Sequence, residues 1–527
     1  MKKFLSALLV LCIVFSLVAC GGSGEKSGGT TDGGTSGGTD GGSSSAKDTL
    51  TIAVTSDSGT LDPLYNVGWD LLNALRMIYE PLWEYQGDGT QRFILAKDFT
   101  AETPTKWLIH LRDDVTFSNG NPFTADDVLF SLWRANNRIG VQAFISELDY
   151  DNCKAIDDYT VELNFTEASI SFTATFASIY MFDKESFDDA TSSTVTIGTG
   201  PYSLDAYVVN SHMNLVARDG YWGTAPNIPN LQFRVMGEEA QRVNAIQTGE
   251  VDIASIPFQD VKYVQTLDNL NVNLFTGNTS ASLYMNISST RKLFSELDAT
   301  ARLAIAYAID REAIRDIAYD GFAEISRYPL STGAVDDYDA LYDMGIYGEP
   351  DYGYNPAKAK ELAESSGLVN YEIKLINNGS AVNALISELV QTNLKDIGVK
   401  VNIFSLDAGS WLTVMFDETQ YDMALDFNFG ETVAAGYRAW VRMAAGGSYT
   451  KEPWEGSDVV LPILETIMSQ TDQKILDDYY MTITKAHVNA MLWYELVDVL
   501  VPTAYDKTLK GYAPMRSGNI IYTDLSW

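Results

Sequence analysis

The segment from residue 355 to residue 405 constrains the fold most strongly, because its pattern alternates between helix and strand signals. Asn355-Pro356 is typical of an N-cap followed by a proline at the first helical position. Gly367 is typical of the residue after a helix, so a helix is predicted between these points. Tyr371 to Ile376 predicts a strand directly afterwards.

A second helix and a second strand follow in the same segment. The helix is indicated by apolar residues that recur at helical spacing, namely Leu385, Ile386, Leu389, Val390 and Leu394. Gly398 is predicted to end this helix, and the alternating Val399, Val401 and Ile403 predict a strand. A strand, a helix and a strand with short links form a βαβ unit, which brings two parallel strands together through a right-handed crossover. The predicted fold class is therefore α/β.

Other elements follow from the same rules. Strands are predicted at residues 50–54 and 107–111, and Tyr421 to Leu425 adds a third strand to the βαβ unit. Thr124 is predicted to cap a helix, because an acidic residue stands three positions further on. One continuous helix is predicted from about Asp298 to Ala318.

Composition and charge exclude two broad classes of protein. The chain is 46% hydrophobic and 12% aromatic, which suffices for a large core and excludes a mainly disordered protein. Its formal net charge of −34 repels phosphate backbones, so nucleic acid is not an expected partner. The same charge suits cationic or zwitterionic ligands, although solubility alone also explains it. About 480 residues follow residue 47, which predicts roughly two or three domains.

The N-terminal residues predict export and lipid attachment. Two lysines precede the apolar run Phe4–Val18, which indicates a bacterial export signal over residues 1–20 rather than a spanning helix. The end of this segment resembles a lipobox, in which Cys20 carries a diacylglyceryl group; a plain signal peptide is the alternative. Residues 21–47 are mainly Gly, Ser, Thr and Asp, and predict a flexible linker with a reach of about 25–30 Å.

Residue types that carry catalysis or bind metals are scarce. Cys153 is the single cysteine of the expected mature body, so no intramolecular disulfide is predicted. The chain has three histidines, no His-Glu-x-x-His and no nucleophile elbow with supporting context. We therefore predict no catalytic residue, no metal site, no cofactor and no enzymatic activity.

Many further segments, in order along residues 48–527, resemble family 5 solute-binding proteins. The segments are Trp107–Gly120, Thr124–Val128, Gly198-Thr199-Gly200-Pro201-Tyr202, Tyr221-Trp222-Gly223, Gly249-Glu250-Val251-Asp252, Ala306–Arg311, Asn355–Gly367, Leu394–Gly398 and Tyr421-Asp422. The family comprises the peptide-, dipeptide- and nickel-binding lipoproteins of ABC importers. Most of these segments are expected to be structural, since Gly198–Tyr202 lacks the Lys-Ser/Thr of a phosphate loop.

The resemblance implies a two-lobed, hinged α/β fold of the type II periplasmic-binding-protein class that closes over its ligand. Lobe 1 is expected to be discontinuous and to comprise residues 48–70, 190–278 and 496–527. An extra subdomain, residues 71–189, is expected to belong to it. Residues 279–495 are expected to form lobe 2.

The resemblance also implies the ligand-binding residues. Peptide binders of the family carry an aspartate that pairs with the peptide's α-ammonium group, and Glu431 falls at this position. Asn428 stands where the family has a tryptophan, beside Phe429, and Trp411 resembles a tryptophan that walls the cleft. The other implied contacts are Val67, Gly68, Trp69, Ser282 and Tyr284. An exposed surface position for Glu431 and a core position for Trp411 are the structural alternatives.

These features together predict a lipid-anchored receptor on the extracytoplasmic face of the cell membrane. It is expected to act as a monomer and to deliver a small-molecule or peptide solute, with an oligopeptide favoured, to ABC permease and ATPase subunits. A peptide-pheromone or other signalling capture lipoprotein and an oligosaccharide-binding member of the family are the alternatives. The scarcity of His and Cys argues against nickel, and acidity with aromatic residues is the only feature that suggests a glycosidase.

Overall fold

The structure of the protein is a computed structural model. It describes residues 47–65, 69–85, 90–138, 145, 147–166, 176–275, 279–326, 353–415, 417–429, 450, 452–467, 473–514 and 520–527. Residues 47–527 belong to one compact unit, in which the described strands form four sheets. Within the described ranges, no helix is long and apolar enough to cross a membrane.

The strands carry labels in chain order. They are β1 (Thr49–Val54), β2 (Trp83–Tyr85), β3 (Gln91–Phe93), β4 (Ala96–Thr103), β5 (Lys106–Leu111), β6 (Lys154–Asp157), β7 (Thr160–Asn164), β8 (Tyr202–Val208), β9 (His212–Ala217), β10 (Asn230–Val235), β11 (Ile253–Ser255), β12 (Leu270–Phe275), β13 (Thr279–Met285), β14 (Ala323–Ile325), β15 (Glu372–Asn377), β16 (Lys400–Ser405), β17 (Met423–Phe429), β18 (Trp493–Val499) and β19 (Val501–Asp506).

The helices are labelled in the same way. They are α1 (Trp69–Leu75), α2 (Ala125–Asn136), α3 (Glu239–Thr248), α4 (Phe258–Val264), α5 (Leu293–Glu296), α6 (Ala299–Ala308), α7 (Arg311–Ala318), α8 (Pro356–Ser366), α9 (Ala381–Asp396), α10 (Ala408–Met415), α11 (Ser457–Ile467) and α12 (Gln473–Ala490).

Two large sheets and two small ones organise the chain. The seven-stranded sheet has the order β12-β19-β11-β1-β10-β9-β8, and the six-stranded sheet has the order β14-β18-β13-β17-β15-β16. The smaller sheets, β4-β5-β7-β6 and β2-β3, come from the intervening part of the chain. The six-stranded sheet and the four-stranded sheet each have a separate hydrophobic core, whereas the seven-stranded sheet contributes to two.

The predicted βαβ unit is confirmed, since β15 and β16 pair in parallel with α9 between them. Asn355 caps α8, because its side chain accepts a hydrogen bond from the N–H of Lys358 at 3.0 Å. Gly367 ends that helix with a φ of +80°, a left-handed conformation that glycine adopts without strain. The third predicted strand is β17, which pairs in parallel with β15.

The prediction of one helix from Asp298 to Ala318 is wrong, because the chain forms α6 and α7 there. The side chain of Asp298 accepts the N–H of Thr300 at 2.8 Å, and that of Asp310 accepts the N–H of Ala313 at 2.9 Å. Each aspartate therefore caps a helix of its own. The apolar spacing continues through the break, and this is why periodicity alone indicated a single helix.

The described strands show two places where the chain passes from one large sheet to the other. It leaves the seven-stranded sheet after Phe275 and enters the six-stranded sheet at Thr279. It returns at Leu500, between β18 and β19. The predicted lobe boundary at residue 495 falls inside β18, which stays in the six-stranded sheet up to Val499. The next strand, β19, begins at Val501 and belongs to the seven-stranded sheet.

Candidate functional site

Two strand ends mark where a ligand can bind. In an open α/β sheet, ligands bind outside the carboxyl ends of the parallel strands, at the point where the strand order reverses. In the seven-stranded sheet this point lies at β1, whose parallel neighbours β10 and β11 stand on opposite sides. In the six-stranded sheet it lies at β15, between its parallel neighbours β16 and β17. The segments that follow β1 and β15 therefore form the candidate site.

The first part of the segment after β1 is held by Asp57. The carboxylate of Asp57 accepts the hydroxyl of Tyr207 at 2.8 Å and the N–H of Asn210 at 2.8 Å. It also accepts the N–H of Gly59 at 2.8 Å. The turn between β8 and β9 is thereby tied to the loop after β1.

The next part of the same segment is held by α2. The Nη2 atom of Arg134 lies 2.6 Å from Oδ2 of Asp62, and both side chains are buried. The Nε atom of Arg138 donates to the carbonyl oxygen of Leu64 at 3.3 Å, and its guanidinium lies 4.2 Å from the ring centre of Tyr65. Sequence reasoning missed both arginines, since nothing local links residues more than 70 positions apart.

The segment after β15 has a tightly defined backbone. The side chain of Asn377 is buried and accepts the N–H of Gly379 at 2.8 Å. Gly379 has a φ of +70°, and a Cβ atom there would lie 2.6 Å from the carbonyl oxygen of Leu406. Ser380 caps α9 by accepting the N–H of Asn383 at 3.3 Å. Because the N-terminus of a helix carries partial positive charge, this end of the site favours an anionic group.

Three predicted residues come from the elements on either side of β15. Trp411 lies in α10, which follows β16, and its half-buried ring packs against the core of the six-stranded sheet. Its indole N–H has no hydrogen-bond acceptor among the described residues. Asn428 and Phe429 are the last two residues of β17. The backbone thus places all three at the edge that carries Asn377 to Ser380.

Ser282 and Tyr284 lie on β13, which is antiparallel to β17. Ser282 is fully buried and pairs in register with Glu495 of β18. Tyr284 is also fully buried, with its hydroxyl 3.2 Å from that of Thr450 and its ring centre 4.9 Å from that of Trp493. Tyr284 therefore belongs to the core of the sheet, and its contact with a ligand stays a prediction.

The structure gives less information on the roles of the other predicted residues. Val67, Gly68, Glu431 and Cys20 lie outside the described residues, so their roles stay predictions. Trp69 is the first residue of α1, directly after the segment that follows β1.

Sequence reasoning also missed two buried carboxylates on β18. The side chains of Glu495 and Asp498 are only 4% and 2% exposed. Asp498 pairs in register with Ser280, which pairs with Asn428 on its other side. Two acidic residues in an otherwise apolar strand were the signal that could have revealed them.

Several segments that carry the family resemblance prove to be structural. The buried carboxylate of Glu80 accepts the hydroxyl of Tyr221 at 2.7 Å and the indole N–H of Trp222 at 3.1 Å. Burial raises the pKa of Glu80 despite these hydrogen bonds. Gly198 and Gly200 approach the backbone of residues 77–78 so closely that a Cβ atom would overlap carbonyl oxygens. This segment is therefore a packing element rather than a phosphate loop.

Two acids of these segments hold strands in place. Asp252 accepts the N–H of Thr51 at 2.8 Å and forms an ion pair with Lys47. Asp422 is buried and binds both Nε and Nη2 of Arg291, at 3.0 and 2.7 Å. Both carboxylates have their own partners within the fold, which leaves each of them little capacity to bind a ligand.

The structure offers no metal site among the described residues, since no group of three or more His, Cys, Asp or Glu side chains lies close enough together there. Burial raises the pKa of Cys153 to about 11. Its thiol is therefore protonated at neutral pH and a poor nucleophile.

Comparison with known proteins agrees with this geometry. The model of bacterial extracellular solute-binding proteins, family 5 Middle, matches residues 93–441. The glutathione-binding protein GsiB of Pectobacterium atrosepticum is 26% identical over 384 residues, which cover 69% of this chain and 70% of GsiB.

Solved structures show the same fold. The ABC transporter substrate-binding protein CtaP of Listeria monocytogenes matches with a TM-score of 0.78 and 22% identity, over 91% of this chain and 99% of CtaP. The periplasmic binding protein DppA of Helicobacter pylori, solved with the peptide STSA, matches with a TM-score of 0.75 and 20% identity, over 91% of this chain and 98% of DppA. The predicted α/β fold of the type II periplasmic-binding-protein class is confirmed.

Proposed function

The chain belongs to family 5 of the bacterial extracellular solute-binding proteins, and we propose that it is a lipid-anchored receptor that delivers an oligopeptide to its ABC importer. As a solute-binding protein it acts outside the cytoplasm, with permease and ATPase subunits as partners. It binds its solute and does not convert it.

The observation that carries the proposal is the pair of switch points in two separate sheets. In the order of the described strands, the chain crosses between the two large sheets after Phe275 and at Leu500. We assign residues 48–70, 190–278 and 501–527 to lobe 1, with 71–189 as its subdomain, and residues 279–499 to lobe 2, so that the predicted boundary at residue 495 moves to the end of β18. A solute that contacts the segments after both β1 and β15 favours the closed arrangement of two such lobes, because only that form makes both sets of contacts.

The chemistry of the second switch point supports a zwitterionic peptide. The N-terminus of α9 suits a carboxylate, and Glu431, which lies outside the described residues, is the acid that the family resemblance assigns to an ammonium group. Two relatives point the same way, since GsiB is named for glutathione, itself a tripeptide, and DppA was solved with a peptide. The net charge of −34 further favours a solute that carries an ammonium group.

The N-terminal sequence supports membrane attachment. A lipidated Cys20 followed by the linker 21–47 would hold the compact unit, which begins at Lys47, within about 30 Å of the membrane surface. A receptor held there remains close to the permease that accepts its solute.

Native mass spectrometry of the protein purified from its own host tests the solute class, together with calorimetry on three probes. The probes are the tetrapeptide Ser-Thr-Ser-Ala, reduced glutathione and maltotriose. We expect a co-purified peptide, and binding of at least one of the two peptides but not of maltotriose. Binding of maltotriose alone would replace the peptide by an oligosaccharide.

A further inference from the structure

We propose that helix α2 positions the ligand-binding loop after β1, with Arg134 as the positioning residue. The proposal rests on the proposed function, in which this loop contacts the solute. Helix α2 packs against the four-stranded sheet. The proposal therefore gives this region of the chain a part in solute binding.

Arg134 meets the loop at a site that is shielded from water. The side chains of Arg134 and Asp62 are 5% and 2% exposed, and their nearest N and O atoms are 2.6 Å apart. The guanidinium also lies 4.3 Å from the ring centre of Phe182 and 4.0 Å from that of Phe187. It cannot move without losing both cation–π contacts. Because the second oxygen of Asp62 accepts the N–H of Leu64 at 3.1 Å, the ion pair also fixes the turn that follows.

Arg138 adds a second contact with the same loop. It lies two residues beyond the end of α2, in a turn where its own N–H donates to the carbonyl oxygen of Ala135 at 3.2 Å. Its hydrogen bond to Leu64 and its position over Tyr65 hold the next two residues of the loop. Tyr65 remains 50% exposed, so this loop presents an aromatic side chain to solvent.

An ion pair suits positioning better than it suits stability. Two apolar residues of similar volume would hold the loop and α2 together about as strongly, because burying both charges costs nearly what their attraction returns. The hydrogen bond between Arg134 and Asp62 has a fixed direction, which apolar packing lacks. The pair therefore defines where the loop stands relative to α2.

Hydrogen–deuterium exchange on the full chain, without added solute, tests the positioning directly. The variants are Arg134→Lys, Arg138→Gln and the control Arg302→Lys. Arg302 is a matched control because it is a buried arginine with an ion pair of its own, to Glu455 at 2.7 Å, in a different helix. In Arg134→Lys we expect amides of residues 57–65 to exchange about tenfold faster or more, with the rest of the chain unchanged. A lysine keeps the charge but cannot reproduce the planar stacking.

Calorimetry with Ser-Thr-Ser-Ala adds a readout that a purely structural role would not change. A misplaced loop loses preorganisation, so we expect Arg134→Lys to bind about tenfold more weakly or worse and Arg302→Lys to bind like wild type. Unchanged exchange in residues 57–65, exchange raised uniformly along the chain, or an affinity within threefold of wild type would each overturn the proposal.

Two further outcomes are also decisive. If Arg134→Lys does not fold, the test uses Arg138→Gln, because Arg138 is partly exposed. Exchange in residues 57–65 of Arg138→Gln that is no faster than in wild type then overturns the proposal. If wild type binds neither the tetrapeptide nor glutathione, the peptide assignment fails, while the exchange result still decides whether α2 positions the loop.

Discussion

Acid should destabilise this protein through His487, and His487→Gln should remove that effect. The imidazole is 1% exposed and its ring centre lies 4.5 Å from that of Trp454. Burial lowers the pKa of His487 to about 3, because the charged form loses its hydration there. The folded protein therefore keeps this side chain neutral well below the pH at which an exposed histidine takes up a proton.

The size of the effect follows from proton linkage. An unfolded chain protonates the histidine below pH 6.5, whereas the folded chain does so only below about pH 3. Between these values the unfolded state binds more protons, so the free energy of unfolding falls as the pH falls. From pH 7 to pH 4.5 the loss due to this one group is about 2–3 kcal/mol, at 1.36 kcal/mol per pH unit. Above pH 6.5 the contribution of the group is constant.

Urea unfolding of wild type and His487→Gln at pH 7.0 and pH 4.5 measures this loss. The variant differs from wild type at pH 7 because a buried side chain has changed, so only the change with pH is compared. We expect the free energy of unfolding to fall about 2–3 kcal/mol less in the variant than in wild type. His212→Gln, at a partly exposed position on β9, is the control and should retain the full loss. Equal losses in wild type and His487→Gln would refute the reasoning.

Three other predictions concern the anchor, the solute and the fold. Cys20→Ala should move the protein from the membrane pellet to the soluble fraction, and continued pelleting would contradict the lipobox. Glu431→Gln should weaken peptide binding about 100- to 1000-fold, as losing one partner of a buried ion pair costs about 3–5 kcal/mol; calorimetry showing less than threefold would exclude the ammonium contact. Gly200→Ala should destabilise the fold by about 1–3 kcal/mol in urea, because its Cβ atom would overlap the carbonyl oxygens of residues 77 and 78. Gly237→Ala, where the nearest atom would lie 3.5 Å away, should be close to neutral.

Local patterns predicted local structure well. The βαβ unit at residues 371–403 was predictable because its caps, its apolar spacing and its glycine terminators all lie within a few residues of one another. The helix over residues 298–318 failed for a related reason, since its spacing continues through a break that a single capping residue, Asp310, imposes. Apolar periodicity indicates which face of a helix packs against the core, but it does not indicate where the helix ends.

Contacts between distant parts of the chain were beyond prediction. The ion pair between Asp62 and Arg134 joins two elements across 72 positions, and neither residue is unusual in its local sequence. Sequence patterns did not identify the segment Asn377 to Ser380 as part of a site, because the feature that marks it is the order of strands in the sheet. The segment follows β15, which like β1 has parallel neighbours on both sides, and the local sequence does not show the order of strands in a sheet.

The distribution of acidic residues explains why the resemblance identifies the family and leaves the solute open. Asp252 and Asp422 stand in family segments, and each is satisfied by a cation and a backbone N–H of the fold itself. A carboxylate with such partners has little capacity left for a ligand. The family segments therefore preserve the scaffold. We expect selectivity for the solute to depend on residues outside those segments, with Trp411 and Asn428, at the edge beside β15, as the predicted contacts. Because the resemblance aligns Asn428 with a tryptophan of the family, we expect this departure to change which solute is bound.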